Sequence, residues 1–79
     1  MTSIEEVLRL ARLHVADGAI METSARLCLA DAVKLADDGR LVRAADRAVD
    51  SLAYSVGILH SDYRRCVKLT KRLKEQYGE

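Results

Sequence analysis

The chain has 79 residues, a formal net charge of +1 and an apolar content of 49%, which together indicate one small domain. It has no Phe, no Trp and only three Tyr, so its core must be assembled from smaller side chains such as Ala, Leu and Val. Two cysteines are too few for a disulfide framework, and the near-neutral charge is unlike that of a strongly basic nucleic-acid-binding domain. A chain this short buries only roughly 60–65% of its unfolded surface, so we expect oligomerisation to supplement its stability.

The N-terminal segment, "MTSIEEVLRL", argues against a secretory leader. It is acidic rather than basic, and no apolar run of the length that a signal sequence needs follows it. No stretch of the chain approaches the length of about 20 apolar residues that a membrane span requires. We therefore expect a cytoplasmic protein, folded as a single domain over residues 1–79, that makes no contact with a membrane.

Helix is the predicted secondary structure for nearly the whole chain, which lacks proline and is rich in strong helix formers. The first helix is predicted to begin at Ser3, because Ser3 and Glu6 have the spacing of a capping box. It is predicted to end within residues 16–18, since Gly18 favours the left-handed conformation that follows many helices. Its apolar stripe consists of Ile4, Val7, Leu8, Ala11 and Val15.

A second helix is predicted from about residue 20 to residue 37, where the turn sequence "DDGR" ends it. The next apolar stripe starts at Leu41 and continues almost to the C-terminus. Gly57 is the one residue in this half that favours a break, and Ser61 or Asp62 would be a suitable N-cap for a new helix there. The stripe consists of Leu41, Ala45, Ala48, Leu52, Val56, Leu59, Tyr63, Cys66, Thr70, Leu73 and Tyr77.

Two architectures are compatible with these patterns, because the apolar stripe keeps its phase across Gly18. In the one that we favour, three to four helices form a small antiparallel bundle whose last helix is long. In the alternative, two long helices fold into a hairpin at residues 38–39 and dimerise into a four-helix bundle. Both are all-α, and in both we expect a homodimer, because the apolar face of a small helical layer needs a partner to cover it.

The small side chains of the stripe that starts at Leu41 predict close packing against a neighbouring helix. Alanine at successive positions lets two helix axes approach to about 8 Å, the lower end of the usual range. Such close approach favours specific self-association. The candidate interface residues are therefore Leu41, Ala45, Ala48, Leu52, Val56 and Leu59.

The segment "YRRCVKLTKRLK", residues 63–74, contains six cationic side chains and no acidic one. On a helix these cations form a broad face that could follow the phosphates of a nucleic acid. We favour the competing interpretation, a solvated face that complements the helix dipole, because the pI near 7.8 is low for a nucleic-acid-binding protein. The candidate nucleic-acid contacts are Arg64, Arg65, Lys68, Lys71 and Arg72.

The two histidines, His14 and His60, are the remaining candidates for chemistry. On a hairpin centred near residue 39 they would come close together, and Asp62 or Asp17 would complete a metal site. No motif such as H-E-x-x-H supports that site, so we interpret both histidines as structural or exposed and predict no metal and no cofactor. The sequence also lacks a nucleophile with its base, a glycine-rich phosphate loop and a paired-carboxylate cleft, so we predict that the protein is not an enzyme.

One segment, "LADAVKLADDGRLVRAADRAVDSL" at residues 29–52, resembles a known structural unit. It is similar to a single helix-turn-helix unit of tetratricopeptide type, with Ala32 at the small packing position and Gly39 and Leu41 in the turn. The resemblance implies a helical hairpin over these residues. The function that the whole pattern favours is a non-enzymatic protein-interaction or regulatory module that acts through self-association, and the alternative is a small nucleic-acid-binding protein.

Overall fold

The computed structural model describes residues 1–78, and these residues form four α-helices. The helices are α1 (Ser3–Ala16), α2 (Glu22–Asp37), α3 (Leu41–Ser55) and α4 (Ser61–Tyr77), and residues 1–78 include no strand. The all-α prediction is confirmed, and α4 is the longest helix at 17 residues. Helix α3 packs against each of the other three helices, whereas α2 and α4 share no close contact within the described chain.

Glycines interrupt both of the long helices that the two-helix alternative requires. Gly18 has φ +104° and Gly57 has φ +90°, and an α-helix cannot continue through either conformation. The chain therefore leaves α1 after Ala16 and leaves α3 after Ser55, so the two-helix alternative is wrong. The apolar phase that persists across Gly18 does not indicate a continuous helix.

The N-cap of α1 is Thr2, one residue before the predicted Ser3. Thr2 has an extended backbone (φ −73°, ψ 162°), and its hydroxyl accepts the N–H of Glu5 at 3.3 Å. The same hydroxyl donates to the Glu5 carboxylate at 2.8 Å. In a capping box that carboxylate would accept the backbone N–H of the capping residue, so only the bond from the helix N–H to the hydroxyl forms, one residue earlier than predicted. Ser3 does not cap the helix because it is already its first residue.

Small side chains form the contact between α2 and α3. Ala25 and Ala32 of α2 and Ala48 of α3 are fully buried. The hydroxyl of Ser51, which is also fully buried, donates to the main-chain carbonyl of Ala25 at 2.8 Å. A serine side chain reaches the backbone of a neighbouring helix only when the two helices are close. The close approach that the alanines predict is therefore present between two helices of one chain.

Larger side chains complete the core between α3 and the pair α1 and α4. Leu52 of α3 is the largest side chain that is fully buried. Val7 and Leu10 of α1 and Cys66 and Leu73 of α4 are buried in the same cluster. Helix α1 meets α4 along this side of the molecule, and that contact positions the polar cluster described next.

Candidate functional site

The polar cluster lies where the C-terminal end of α1 meets the N-terminal end of α4. The Nε2 atom of His14, in the last turn of α1, lies 2.7 Å from the Oδ2 atom of Asp62, in the first turn of α4. The rings of His14 and His60 contact each other edge to face, with their centroids 4.9 Å apart. One ligand atom from each of His14, His60 and Asp62 lies within 4.8 Å of the other two. We call these three residues the histidine–aspartate cluster.

His60 also determines where α4 begins. Its backbone is extended (φ −69°, ψ 141°), and its Nδ1 atom accepts the backbone N–H of Asp62 at 3.0 Å. This imidazole nitrogen therefore acts as the N-cap that the sequence predicts from Ser61 or Asp62, and that prediction is wrong. An imidazole can replace a carboxamide here because Nδ1 is separated from the backbone by the same number of bonds as the side-chain oxygen of asparagine.

All three side chains of the cluster are partly accessible to solvent. The side chain of His14 is 14% exposed and that of Asp62 is 31% exposed. Asp17, the other acidic residue that the sequence offers, is not part of the cluster. The approach of His14 to His60 results from the contact between α1 and α4, because the continuous hairpin on which their approach was predicted does not form.

Charged residues continue along the contact between α1 and α4. Arg9 binds Glu6 at 2.7 Å, and Arg65 of α4 lies 3.8 Å from the same carboxylate. The hydrogen bond from Arg9 lowers the pKa of Glu6 below its ordinary value. Burial raises the pKa of the Cys66 thiol to about 11, and the negative charge of Asp62 adds to that effect. Cys66 is thus a protonated core residue at neutral pH rather than a thiolate nucleophile.

A second feature is formed by two loops, the one that follows α1 and the one that precedes α4. The backbone N–H of Ile20 donates to the carbonyl of Ser55 at 3.1 Å, and that of Met21 donates to the carbonyl of Tyr54 at 2.9 Å. These bonds fasten the loop between α1 and α2 to the C-terminal end of α3. The loop between α3 and α4 starts at the same place.

Large apolar side chains of these loops are exposed to solvent. Ile20 is 75% exposed, Ile58 is 61% exposed and Leu59 is 79% exposed. The contributing segments, residues 18–21 and 51–59, contain no charged residue. The apolar stripes do not include Ile20, Tyr54 or Ile58, although an isoleucine within two residues of a glycine, outside a helical stripe, is a usable signal. We call this surface the loop-end patch; it consists of Ile20, Met21, Tyr54, Ile58 and Leu59.

The structure distributes the six interface candidates between core and surface. Ala45, Ala48 and Leu52 are fully buried by other helices of the same chain. Val56 and Leu41 are half-buried, and Val56 packs against the same core. Leu59 is the candidate that the fold leaves largely exposed, and it belongs to the loop-end patch.

The nucleic-acid candidates lie on the exposed side of α4. All five are exposed, and Arg65 is held near Glu6. The other four form no ion pair with an acidic group of residues 1–78, and helical geometry places them within one broad face. Glu75 lies at the C-terminal end of that face. We call this surface the basic face; its unpaired members are Arg64, Lys68, Lys71 and Arg72.

None of the helices α1–α4 combines the length and the apolarity that crossing a bilayer requires. Comparison of the chain with protein-family models, with curated proteins and with solved structures finds no match. Residues 29–52 extend over the second half of α2, the following turn and most of α3.

Proposed function

We propose that this protein is a non-enzymatic interaction module, an antiparallel helical bundle that acts in the cytoplasm by associating with a second copy of itself through the loop-end patch. The observation that carries the proposal is the exposure of Ile20, Ile58 and Leu59 in two segments, residues 18–21 and 51–59, that are bonded to each other through the backbone and contain no charged residue. Exposed apolar surface that is contiguous marks interaction sites more often than isolated apolar residues do. The free thiols of Cys28 and Cys66 agree with a reducing compartment.

The size of the patch supports a small dimer interface. If a large apolar residue offers about 200 Å², the exposed fractions of the five patch residues amount to on the order of 600 Å². A standard interface buries about 800 Å² on each partner, and weaker transient interfaces bury less. The patch and a rim of neighbouring residues therefore suffice for a dimer at the lower end of that range.

The absence of charge in the patch favours a second copy as the occupant. Across a two-fold axis each residue meets the same surface of the partner, so the surface must be complementary to itself. An apolar surface meets this requirement, because no charge is brought against a like charge. A partner selected by charge would need complementary charged groups, and residues 18–21 and 51–59 provide none.

Sedimentation equilibrium at micromolar concentrations tests this proposal. We expect the parent protein to have twice the 8.8 kDa mass of one chain. The double variant Ile58→Glu/Leu59→Glu should sediment as a single chain, because dimerisation would bury four carboxylates without partners. The matched control is Tyr77→Glu, which changes an exposed apolar residue near the C-terminus and should leave the dimer intact.

Two results would refute self-association through this patch. One is a parent protein that remains at 8.8 kDa across the concentration range. The other is a dimer that survives the Ile58→Glu/Leu59→Glu change while circular dichroism shows that the variant is folded. Because both positions lie in a loop and are exposed, the change should not unfold the chain.

A second candidate function, binding of a nucleic acid, is supported by the basic face. Its four cations have no acidic partner among residues 1–78, so they are available to phosphates. Each phosphate that a cation neutralises releases counterions, which makes such binding depend steeply on salt concentration. The face extends over Arg64 to Arg72, about 12 Å along a helix.

Retention on immobilised heparin and binding to a fluorescent duplex test this function. Replacing Arg64, Lys68, Lys71 and Arg72 by Gln should abolish both. The matched control is a second variant, in which four other exposed cations that form no ion pair within residues 1–78 are replaced by Gln. This control variant should retain most of the binding. Equal losses in the two variants would show a response to net charge alone and would refute a specific basic face. The control positions are Arg12, Lys34, Arg40 and Arg43.

A further inference from the structure

We propose that the histidine–aspartate cluster binds one divalent transition-metal ion of the Zn²⁺ class. His14 comes from α1, His60 from the loop before α4 and Asp62 from α4 itself. The fold thus collects two imidazoles and a carboxylate from three separate elements, with one ligand atom of each within 4.8 Å of the others. The function proposed above does not require this site.

The distances are compatible with a tetrahedral ion after small side-chain adjustments. Zn²⁺ binds imidazole nitrogen at about 2.0–2.1 Å and carboxylate oxygen at about 2.0–2.2 Å, so neighbouring ligand atoms lie about 3.3 Å apart. The contact of 2.7 Å between His14 and Asp62 must open by roughly half an ångström. The ligand atom of His60, which lies within 4.8 Å of the other two, must move closer to them. Three protein ligands leave the fourth position for water.

Metal binding replaces two hydrogen bonds of the metal-free site. In neutral His14 the Nε2 atom that faces the Asp62 carboxylate carries the proton, and the ion takes its place while the proton moves to Nδ1. A neutral imidazole has one nitrogen lone pair, and His60 uses its lone pair to accept the N–H of Asp62. His60 therefore exchanges capping of α4 for coordination, so the ion and the helix cap compete.

The electrostatic surroundings permit a cation at this position. The C-terminal end of α1, where His14 lies, carries the partial negative charge of the helix dipole. This negative charge counteracts the partial positive charge that the helix dipole places at the N-terminal end of α4. The Asp62 carboxylate adds a full negative charge, and its 31% exposure leaves a route by which the ion can enter. Cys66, one helical turn after Asp62, is fully buried in the core and is not among the residues whose ligand atoms converge here.

Three substitutions remove the ligands while they preserve the local hydrogen bonds. His14→Gln keeps an N–H donor for Asp62. His60→Asn keeps a side-chain acceptor at the N-cap, which Asn supplies well. Asp62→Asn keeps the shape of the carboxylate without its charge. The matched control is Asp17→Asn, which removes an acidic residue close to His14 in sequence but outside the cluster.

Calorimetric titration with Zn²⁺ measures the affinity, and the visible absorption of Co²⁺ reports the geometry. We expect one ion per chain, a tetrahedral Co²⁺ spectrum, and at least about a tenfold loss of Zn²⁺ affinity in each ligand variant, since even outer-shell changes cost 10–100-fold. Asp17→Asn should bind as the parent does. The proposal would be overturned if the parent does not bind Zn²⁺, or if His14→Gln and His60→Asn bind it with the same affinity as the parent. Binding that persists in those variants but is lost in Cys28→Ser would assign the ion to a thiol and would overturn it too.

Discussion

Replacing Ala48 by Leu tests whether α2 and α3 pack as closely as the structure indicates. Ala48 is fully buried in α3 and lies three residues before Ser51, on the side that faces α2. Ser51 reaches the carbonyl of Ala25, so the space between these helices is already filled by a hydroxyl and by alanine methyl groups. A leucine at residue 48 adds three carbon atoms that can be accommodated only if the helices separate or neighbouring side chains leave their preferred rotamers.

The expected cost of Ala48→Leu is a large part of the total stability. Overpacking a well-packed core costs about 1–3 kcal/mol. A domain of this length has a free energy of unfolding of roughly 4–12 kcal/mol. For small domains each 1 kcal/mol lowers the melting temperature by about 4–8 °C, so we expect a decrease of roughly 5–20 °C.

Thermal and urea unfolding followed by circular dichroism measure this cost. The matched control is Ala30→Leu, the same substitution at an exposed position of α2, which should change the free energy of unfolding by less than about 0.5 kcal/mol. Equal melting temperatures for Ala48→Leu and Ala30→Leu would refute the close packing of α2 against α3.

Three further changes probe single interactions. Ser51→Ala removes the hydrogen bond to Ala25 and should lower the free energy of unfolding by about 1 kcal/mol, measured by urea unfolding. Gly57→Ala meets no atom within 4 Å, so its cost, roughly 1–2 kcal/mol in thermal unfolding, comes from the positive φ alone. The pKa of the Cys66 thiol is raised to about 11 in the folded chain, against an ordinary value of 9.0. The buried, protonated thiol therefore makes its full contribution to the free energy of unfolding below pH 9.0, and this contribution is lost as the pH rises toward 11. Urea unfolding from pH 8 to 11 should show a loss on the order of 2 kcal/mol that is absent in Cys66→Ala.

The helices could be predicted because their apolar residues recur with helical spacing. Val7, Leu8 and Ala11 of the first stripe are buried, and the turn after α2 ends that helix where "DDGR" predicts it. The helix starts were harder to predict. A capping residue is defined by its backbone conformation, and neighbours such as Thr2 and Ser3 have equally suitable side chains. At α4 the cap is an imidazole, which lies outside the residue types that usually mark a helix start.

Periodicity identifies the buried face of a helix but not the chain that buries it. Ala45, Ala48 and Leu52 were expected to contact a second copy, and other helices of the same chain cover them. The break at Gly57 explains the difference. It lets α4 fold back against α3 and α1, so the chain provides for itself the surface that a two-helix hairpin would need from a partner.

The histidine–aspartate cluster has no signal in the local sequence. His14 and Asp62 are 48 residues apart and meet only because the end of α1 lies beside the start of α4. Their approach depends on the two loops, whose course is set by glycines with positive φ and by the backbone hydrogen bonds of Ile20 and Met21. Residue spacing along one helix carries no information on such a contact.

The location of the large apolar residues links the fold to the proposed self-association. The buried residues of α2 are Ala25, Cys28 and Ala32, so small side chains form its contact with α3, where Ala48 and Ser51 are fully buried. Loops that only connect helices usually carry Gly, Asn, Asp or Ser, yet here Ile20, Ile58 and Leu59 occupy them. Burying each such side chain is worth about 1.5–3 kcal/mol, while association itself costs about 4–15 kcal/mol. Three such side chains from each copy supply about 9–18 kcal/mol in total, so the net gain can reach the roughly 8 kcal/mol that dimerisation at micromolar concentrations requires.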